Sequence, residues 1–207
     1  MAGWLAPDSK FYNGLVSVTD TIIVNVLLLI FSLPVVTAGA ALAGAHAALL
    51  KQVREEGSSP AKAFWTGFRT SFARATIVWL LLLLALLVSA WEIWAIRRMD
   101  LGAAGTAATV VALTGVVLVV CFAIWFFPLI SQSEKPLADV AKRSAILAIG
   151  YLPRTLVCLA TLGVQPLLLY MNVDIIAILI FANMVILPAA TLYVHDLLIE
   201  RQVSENS

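Results

Sequence analysis

ATIVWLLLLLALLVSAWEIWAI, residues 75–96, carries one charged side chain, Glu92. As a helix this run extends roughly 33 Å, enough to cross about 30 Å of hydrocarbon. Trp91 and Trp94 near its end are rings of the kind that gather at a membrane boundary. Working outward, residues 103–130 form a second long apolar run whose Trp125, Phe126 and Phe127 mark the opposite boundary. Residues 17–36, 154–171 and 175–194 supply three further spans. Residues 38–50 are apolar for only 13 positions, and Lys51 and Arg54 extend that segment to about residue 54 by reaching toward the interface. The expected fold is an all-α polytopic transmembrane bundle of about six spans, or five if 38–54 is re-entrant. Residues 1–207 then form a single integral membrane domain.

Composition agrees with this reading. Hydrophobic residues make up 62% of the chain and charged ones 12%, an excess that a water-soluble domain could not bury. The net charge of +1 supplies no global basic field, so nucleic acid is not an expected partner. Cys121 and Cys158 lie in apolar runs without metal-ligand spacing and read as small buried hydrophobes. The apolar stretch Ile22 to Leu33 before Ala38, Gly39 and Ala40 mimics a cleaved leader. Asp8 and Asp20 ahead of or within it, and the proline-then-alanine continuation, favour a helical hairpin instead.

The first span carries a polar stripe. Ser17, Thr21 and Asn25 follow at four-residue spacing with Ser32 seven further on and Asp20 beside them, so this face should turn toward other helices. The next segment is built from small residues: Gly39, Ala43 and Ala47 form one row, Ala40, Gly44 and Ala48 another. Such rows let helix backbones approach closely, which predicts a tight hairpin of the first two segments.

Two amphipathic surface helices are expected. Over 60–73, Ser59 and Pro60 suit a helix start and Phe64, Phe68 and Phe72 recur every four residues. Lys62, Thr66, Arg69 and Thr70 fall away from that ridge. Over 136–149, Leu137, Val140, Ala141 and Ser144 share a face, with Asp139, Lys142 and Arg143 on the polar side. Both lead through an arginine, Arg74 or Arg154, into a span, which invites comparison as a weak internal repeat. Phe64, Phe68, Arg69, Phe72, Lys142 and Arg143 are the candidate partner-docking surface, or else simply the anchor of the bundle.

With six spans, eleven basic residues fall on one side: Lys10, Lys51, Arg54, Lys62, Arg69, Arg74, Lys135, Lys142, Arg143, Arg154 and Arg201. Only Arg97 and Arg98 fall on the other. Both termini are therefore expected in the cytoplasm.

Ionisable groups within apolar segments are the candidates for chemistry. Asp20 reads as an intramembrane acid or as a solvated first-turn acid complementing the helix N-terminus. His46 reads as a metal- or proton-binding group, or as a lone histidine satisfied by a backbone carbonyl or by Asn25. Glu92 and Asp174 read as solvated. Gln165 beside Pro166, and Asn183 before Pro188, either line a pathway or satisfy backbone groups freed by proline. Paired-carboxylate relays, HExxH, GxSxG and phosphate-cradling loops are missing from the sequence. The expectation is a non-enzyme without cofactor or metal: a subunit, scaffold or passive carrier.

Asp-Thr-Ile-Ile-Val-Asn from Asp20 to Asn25, Ser-Leu-Pro-Val-Val-Thr-Ala-Gly from Ser32 to Gly39, and the Phe64 to Phe72 ridge together resemble the YesL family of bacterial membrane proteins. The likeness covers the first 80 residues and continues mainly through Leu152 to Thr155. Where that family more often has a bulky stretch, this chain has Ala40 to Ala48 with His46. The resemblance implies an accessory subunit of an oligosaccharide ABC importer in the bacterial cytoplasmic membrane. It would contact the permease and lipid, and sugar only through the complex. The alternatives are a transport pathway in its own right and, third, a membrane-embedded enzyme built around His46, Asp20 and Asn25.

Overall fold

The computed structural model describes residues 10–99, 102–171 and 173–207, and among them every regular element is helical. The order is α1 (Lys10–Ser32), α2 (Ala38–Val53), α3 (Pro60–Arg98), α4 (Gly102–Gln132), α5 (Leu137–Gly150), α6 (Leu152–Met171), α7 (Ile176–Val185) and α8 (Leu187–Asn206). Short 3-10 turns, Val35–Thr37 and Val173–Ile175, precede α2 and α7.

Among the described residues, four helices are long and apolar enough to cross a membrane: α1 from Phe11, α3, α4 and α6. The pair α7 and α8, bent by 65° at a short break, makes a fifth if counted as one span. These helices mark a membrane protein. The expected six spans are reached only if α2 is counted, and its 16 residues extend roughly 24 Å, less than the hydrocarbon thickness.

Instead α2 is the axis of the bundle. Eleven of its residues, from Gly39 to Leu50, are buried, because small side chains let neighbours close on every face. A Cβ on Gly67 of α3 would lie 2.3 Å from the Ala47 Cβ. One on Gly39 would lie 2.3 Å from the Trp79 Cβ and 2.7 Å from the Ala75 carbonyl oxygen. The predicted α1–α2 hairpin is present: Gln52 near the end of α2 donates to the Ser17 carbonyl at 2.9 Å, and Thr37 at its start donates to the Phe31 and Pro34 carbonyls at 2.7 and 2.9 Å.

The expected surface helix over 60–73 is not a separate element. Pro60 to Arg98 is one unbroken helix of 39 residues, with no proline after its first position to end it. Its first half packs on α2, so Phe64 and Phe68 point inward against Phe31 (ring centroids 5.8 and 4.9 Å) rather than into a membrane surface. The second amphipathic helix is separate, as α5, and buries Val140, Ser144, Leu147 and Ala148. α5 breaks from α6 at Tyr151 while α3 does not break, so the two segments compared as a repeat differ in form.

α4 returns antiparallel to α3. Ser71 donates to the Ile130 carbonyl at 3.1 Å, and Arg74 donates to the Lys135 and Ser133 carbonyls at 2.9 and 2.8 Å, holding the α4–α5 turn. Trp125, Phe126, Leu129 and Ile130 of α4 fill one core, and Phe64, Leu49 and Val24 belong to a second on the other side of α2. Beyond these cores, α3 and α4 continue as an exposed apolar pair: Leu81, Leu84, Leu87, Val111 and Leu118 are all well over half exposed.

Candidate functional site

The polar side chains gather at three places around α2 and α8. The first is the break between α7 and α8. Pro188 lacks the N–H that would bond the Met184 carbonyl, and Ile186 leaves helical geometry with φ −151°. Asn25, fully buried on α1, closes the gap. Its amide nitrogen donates to the Asn183 and Met184 carbonyls at 3.2 and 3.1 Å, and its oxygen accepts from the Ala189 N–H at 3.0 Å. Three backbone groups that would otherwise be stranded are thereby satisfied. Beside them Asn183 donates to Gln165 at 3.0 Å and to the Leu179 carbonyl at 2.8 Å. The two amides flagged next to prolines are thus partners of each other.

The second is the seam between α2 and α8. His46 Nδ1 lies 2.7 Å from Asp196 Oδ1, with side-chain exposures of 4% and 0%. The adjacent His195 places Nε2 at 2.7 Å from the Thr161 hydroxyl of α6. That hydroxyl also lies 2.7 Å from the Cys158 carbonyl, so its single proton serves one contact or the other, according to the His195 tautomer. His46 is therefore paired with neither a backbone carbonyl nor Asn25. Asp196 and His195 were not among the sequence candidates, since they lie just past the span expected to end at 194. The signal was present as a His-Asp pair set directly after an apolar run.

The third lies at the end of the bundle that holds the C-terminus. Arg54 donates to Glu200 at 2.9 Å and to Gln132 at 3.3 Å, joining α2, α8 and α4. Arg154 donates to the Leu198 carbonyl at 3.0 Å and to Gln202. Thr155 accepts from the Trp125 indole at 2.8 Å and donates to the Ala148 carbonyl at 3.1 Å. The Leu152–Thr155 segment thus fastens the α5–α6 corner to α4 and α8.

The remaining predicted residues are placed as follows. Thr21 donates to the Ser17 carbonyl at 2.8 Å and accepts from Gln52 at 3.3 Å, so it does face α2. Asp20 is in the interior of α1, not its first turn, and lines an open cleft of about 590 Å³ with Gln52, Glu55, Glu56, Tyr193 and Leu197. Ser32 is half-buried at the end of α1. Asp20, Asn25 and His46 thus have separate surroundings, and the hydrogen-bond partners of Asn25 and His46 are different residues.

The docking ridge is rearranged, since Phe64 and Phe68 are buried. Trp65, Arg69 and Phe72 remain exposed, with the Arg69 guanidinium 5.9 Å from the Trp65 ring centre. Lys142 is exposed, and Arg143 donates to the Asn206 carbonyl at 3.0 Å. Cys158 is fully buried and Cys121 partly so, both as free thiols.

No curated protein matches the chain, and no solved structure does. Residues 21–93 match the family model described as "Protein of unknown function, DUF624", a stretch running from Thr21 through Asn25, the 33–39 turn and all of α2 into the apolar half of α3.

Proposed function

We propose that this chain is a non-catalytic accessory subunit of a carbohydrate ABC importer in the bacterial cytoplasmic membrane, with both termini on the cytoplasmic side. The observation that carries this reading is the use made of the residues behind the family resemblance. Asn25 clasps the α7–α8 break, Thr37 holds the turn after α1, Gly39 admits Trp79, and Thr155 receives Trp125. Each of them holds helices together, which suits a protein whose work is to present a shaped helical surface to another membrane protein. The exposed apolar pair of α3 and α4 is long enough to offer the permease such a surface within lipid. The Trp65, Arg69 and Phe72 ridge, with Lys142, offers one outside it.

Co-purification with an oligosaccharide permease from native membranes, and loss of uptake on deletion while ATPase and binding protein remain, are the expected results. A chain that purifies without a permease and whose deletion leaves uptake intact ends this reading.

A second reading, a transport pathway in its own right, is favoured by one feature, the bent α7–α8 pair. Discontinuous membrane helices recur at transport sites because their ends offer free backbone groups. Flux of substrate into liposomes containing this protein alone would support it over the first.

A further inference from the structure

We propose that the His46–Asp196 pair is a proton-binding site, and that its proton decides whether Asp196 is held by His46 of α2 or by Arg54 of the same helix. The pair is sealed: the two side chains are 4% and 0% exposed and meet at 2.7 Å. A carboxylate has about four acceptor positions, yet Asp196 Oδ2 is buried with no hydrogen-bond partner among the described residues. A buried polar atom left in this way calls for a functional or chemical explanation.

The charges around the pair restrict that explanation. Arg54 of α2 and Cys158 of α6 lie within electrostatic reach of Asp196. α8 itself adds His195 and Glu200, α4 adds the neutral Gln132, and α1 brings Asp20 into the neighbouring cleft. Arg54 pairs with Glu200 at 2.9 Å and lies 4.0 Å from Glu56 of the α2–α3 loop, while His195 is tied to Thr161. The pair then depends on its own protons for its charge, His46 being the group that meets Asp196.

It is neutral with both ring nitrogens of His46 protonated and Asp196 ionised, or with the shared proton moved across the 2.7 Å bond onto Asp196. Loss of one proton leaves a single negative charge in the seam, and a buried charge without its counter-charge is strongly disfavoured.

One group is placed to answer that charge. Arg54 Nη2 is buried and has no partner among the described residues, the donor counterpart of the unpartnered Asp196 oxygen. Asp196 and Glu200 are four residues apart and so share a face of α8. The free edge of the Arg54 guanidinium can therefore turn to Asp196 while its Nε stays on Glu200. Proton binding and the α2–α8 contact are thus one equilibrium, with His46 and Arg54 as alternative partners of the same carboxylate.

The chain has two histidines, so ¹⁵N-histidine NMR of the full-length protein in lipid nanodiscs reads the site directly, with His195→Asn assigning the signals. The expected result is a pH-dependent change at the His46 ring nitrogens. Its midpoint should move by about one pH unit, tenfold in proton affinity, in Asp196→Asn and again in Arg54→Gln. Arg54→Gln leaves the pair itself in place and carries the test if Asp196→Asn does not fold. A midpoint unmoved in the variants that fold, or a His46 ring insensitive to Arg54→Gln, overturns the proposal.

Discussion

Asn25 is the residue on which most depends, because three backbone groups at the α7–α8 break, one buried and two part-buried, have it as partner. Stranding a buried group costs roughly 1–3 kcal/mol, so Asn25→Ala should lower stability by on the order of 2–5 kcal/mol. Thermal unfolding in detergent micelles checks this, and a variant melting within a degree of the parent sinks the clasp. Thr155→Val makes a second case: it strands the buried Trp125 indole N–H, at about 1–3 kcal/mol, and Thr155→Ser should recover most of the loss in the same assay. Much of this scale was legible beforehand, since spacing alone put Thr21 and Asn25 on an interhelical face. The partner of His46 was not, because Asp196 stands 150 positions away and no local periodicity links two helices that meet only in the folded chain. Separations of 146 and 78 positions likewise hid the role of Arg54, whose acceptors lie on α8 and α4.

At the scale of the element, close approach of α2 and α3 rests on their glycines. Gly67→Ala places a methyl group against the Ala47 Cβ and should cost about 1–3 kcal/mol by overpacking. Gly115→Ala on α4 meets open space and should be neutral, or stabilising by up to about 1 kcal/mol through helix propensity. Unfolding midpoints of the two variants side by side decide the matter, and equal effects refute the packing account. The rows of small residues in α2 announced this packing from sequence. What those rows do to α3 was not drawn from them. A ridge of phenylalanines followed by Arg74 has the pattern of a surface helix, and only the room left by alanine and glycine on α2 turns Phe64 and Phe68 inward. The break between α7 and α8 was half legible, as Pro188 and Asn183 marked the place but not the 65° bend.

For the molecule as a whole, the contacts fix which ends lie together. Arg54 reaches Glu200, and Lys135 donates to the terminal carbonyls of Asn206 and Ser207, so the α2–α3 loop, the α4–α5 turn and the C-terminus share one end. Met99 closes the far end of α3. In a background lacking Cys121 and Cys158, Ser58→Cys and Ser204→Cys should be labelled by an impermeant maleimide from the same face of the membrane, and Met99→Cys from the other. Labelling of all three from one face contradicts the arrangement. Long apolar runs made the membrane helices legible, whereas the span count was not, because α2 is apolar enough for lipid yet is enclosed by protein. The 39 residues of α3 extend roughly 58 Å, about twice the hydrocarbon thickness. One half is clamped in the packed end and the other stands exposed beside α4, so any tilt of this rigid helix would be amplified along its exposed half. A change in tilt of about 10°, of the kind a thinner or thicker bilayer imposes, swings the free tip by roughly 5 Å. Whatever grips that tip would then sense the thickness of the membrane through a single unbroken rod.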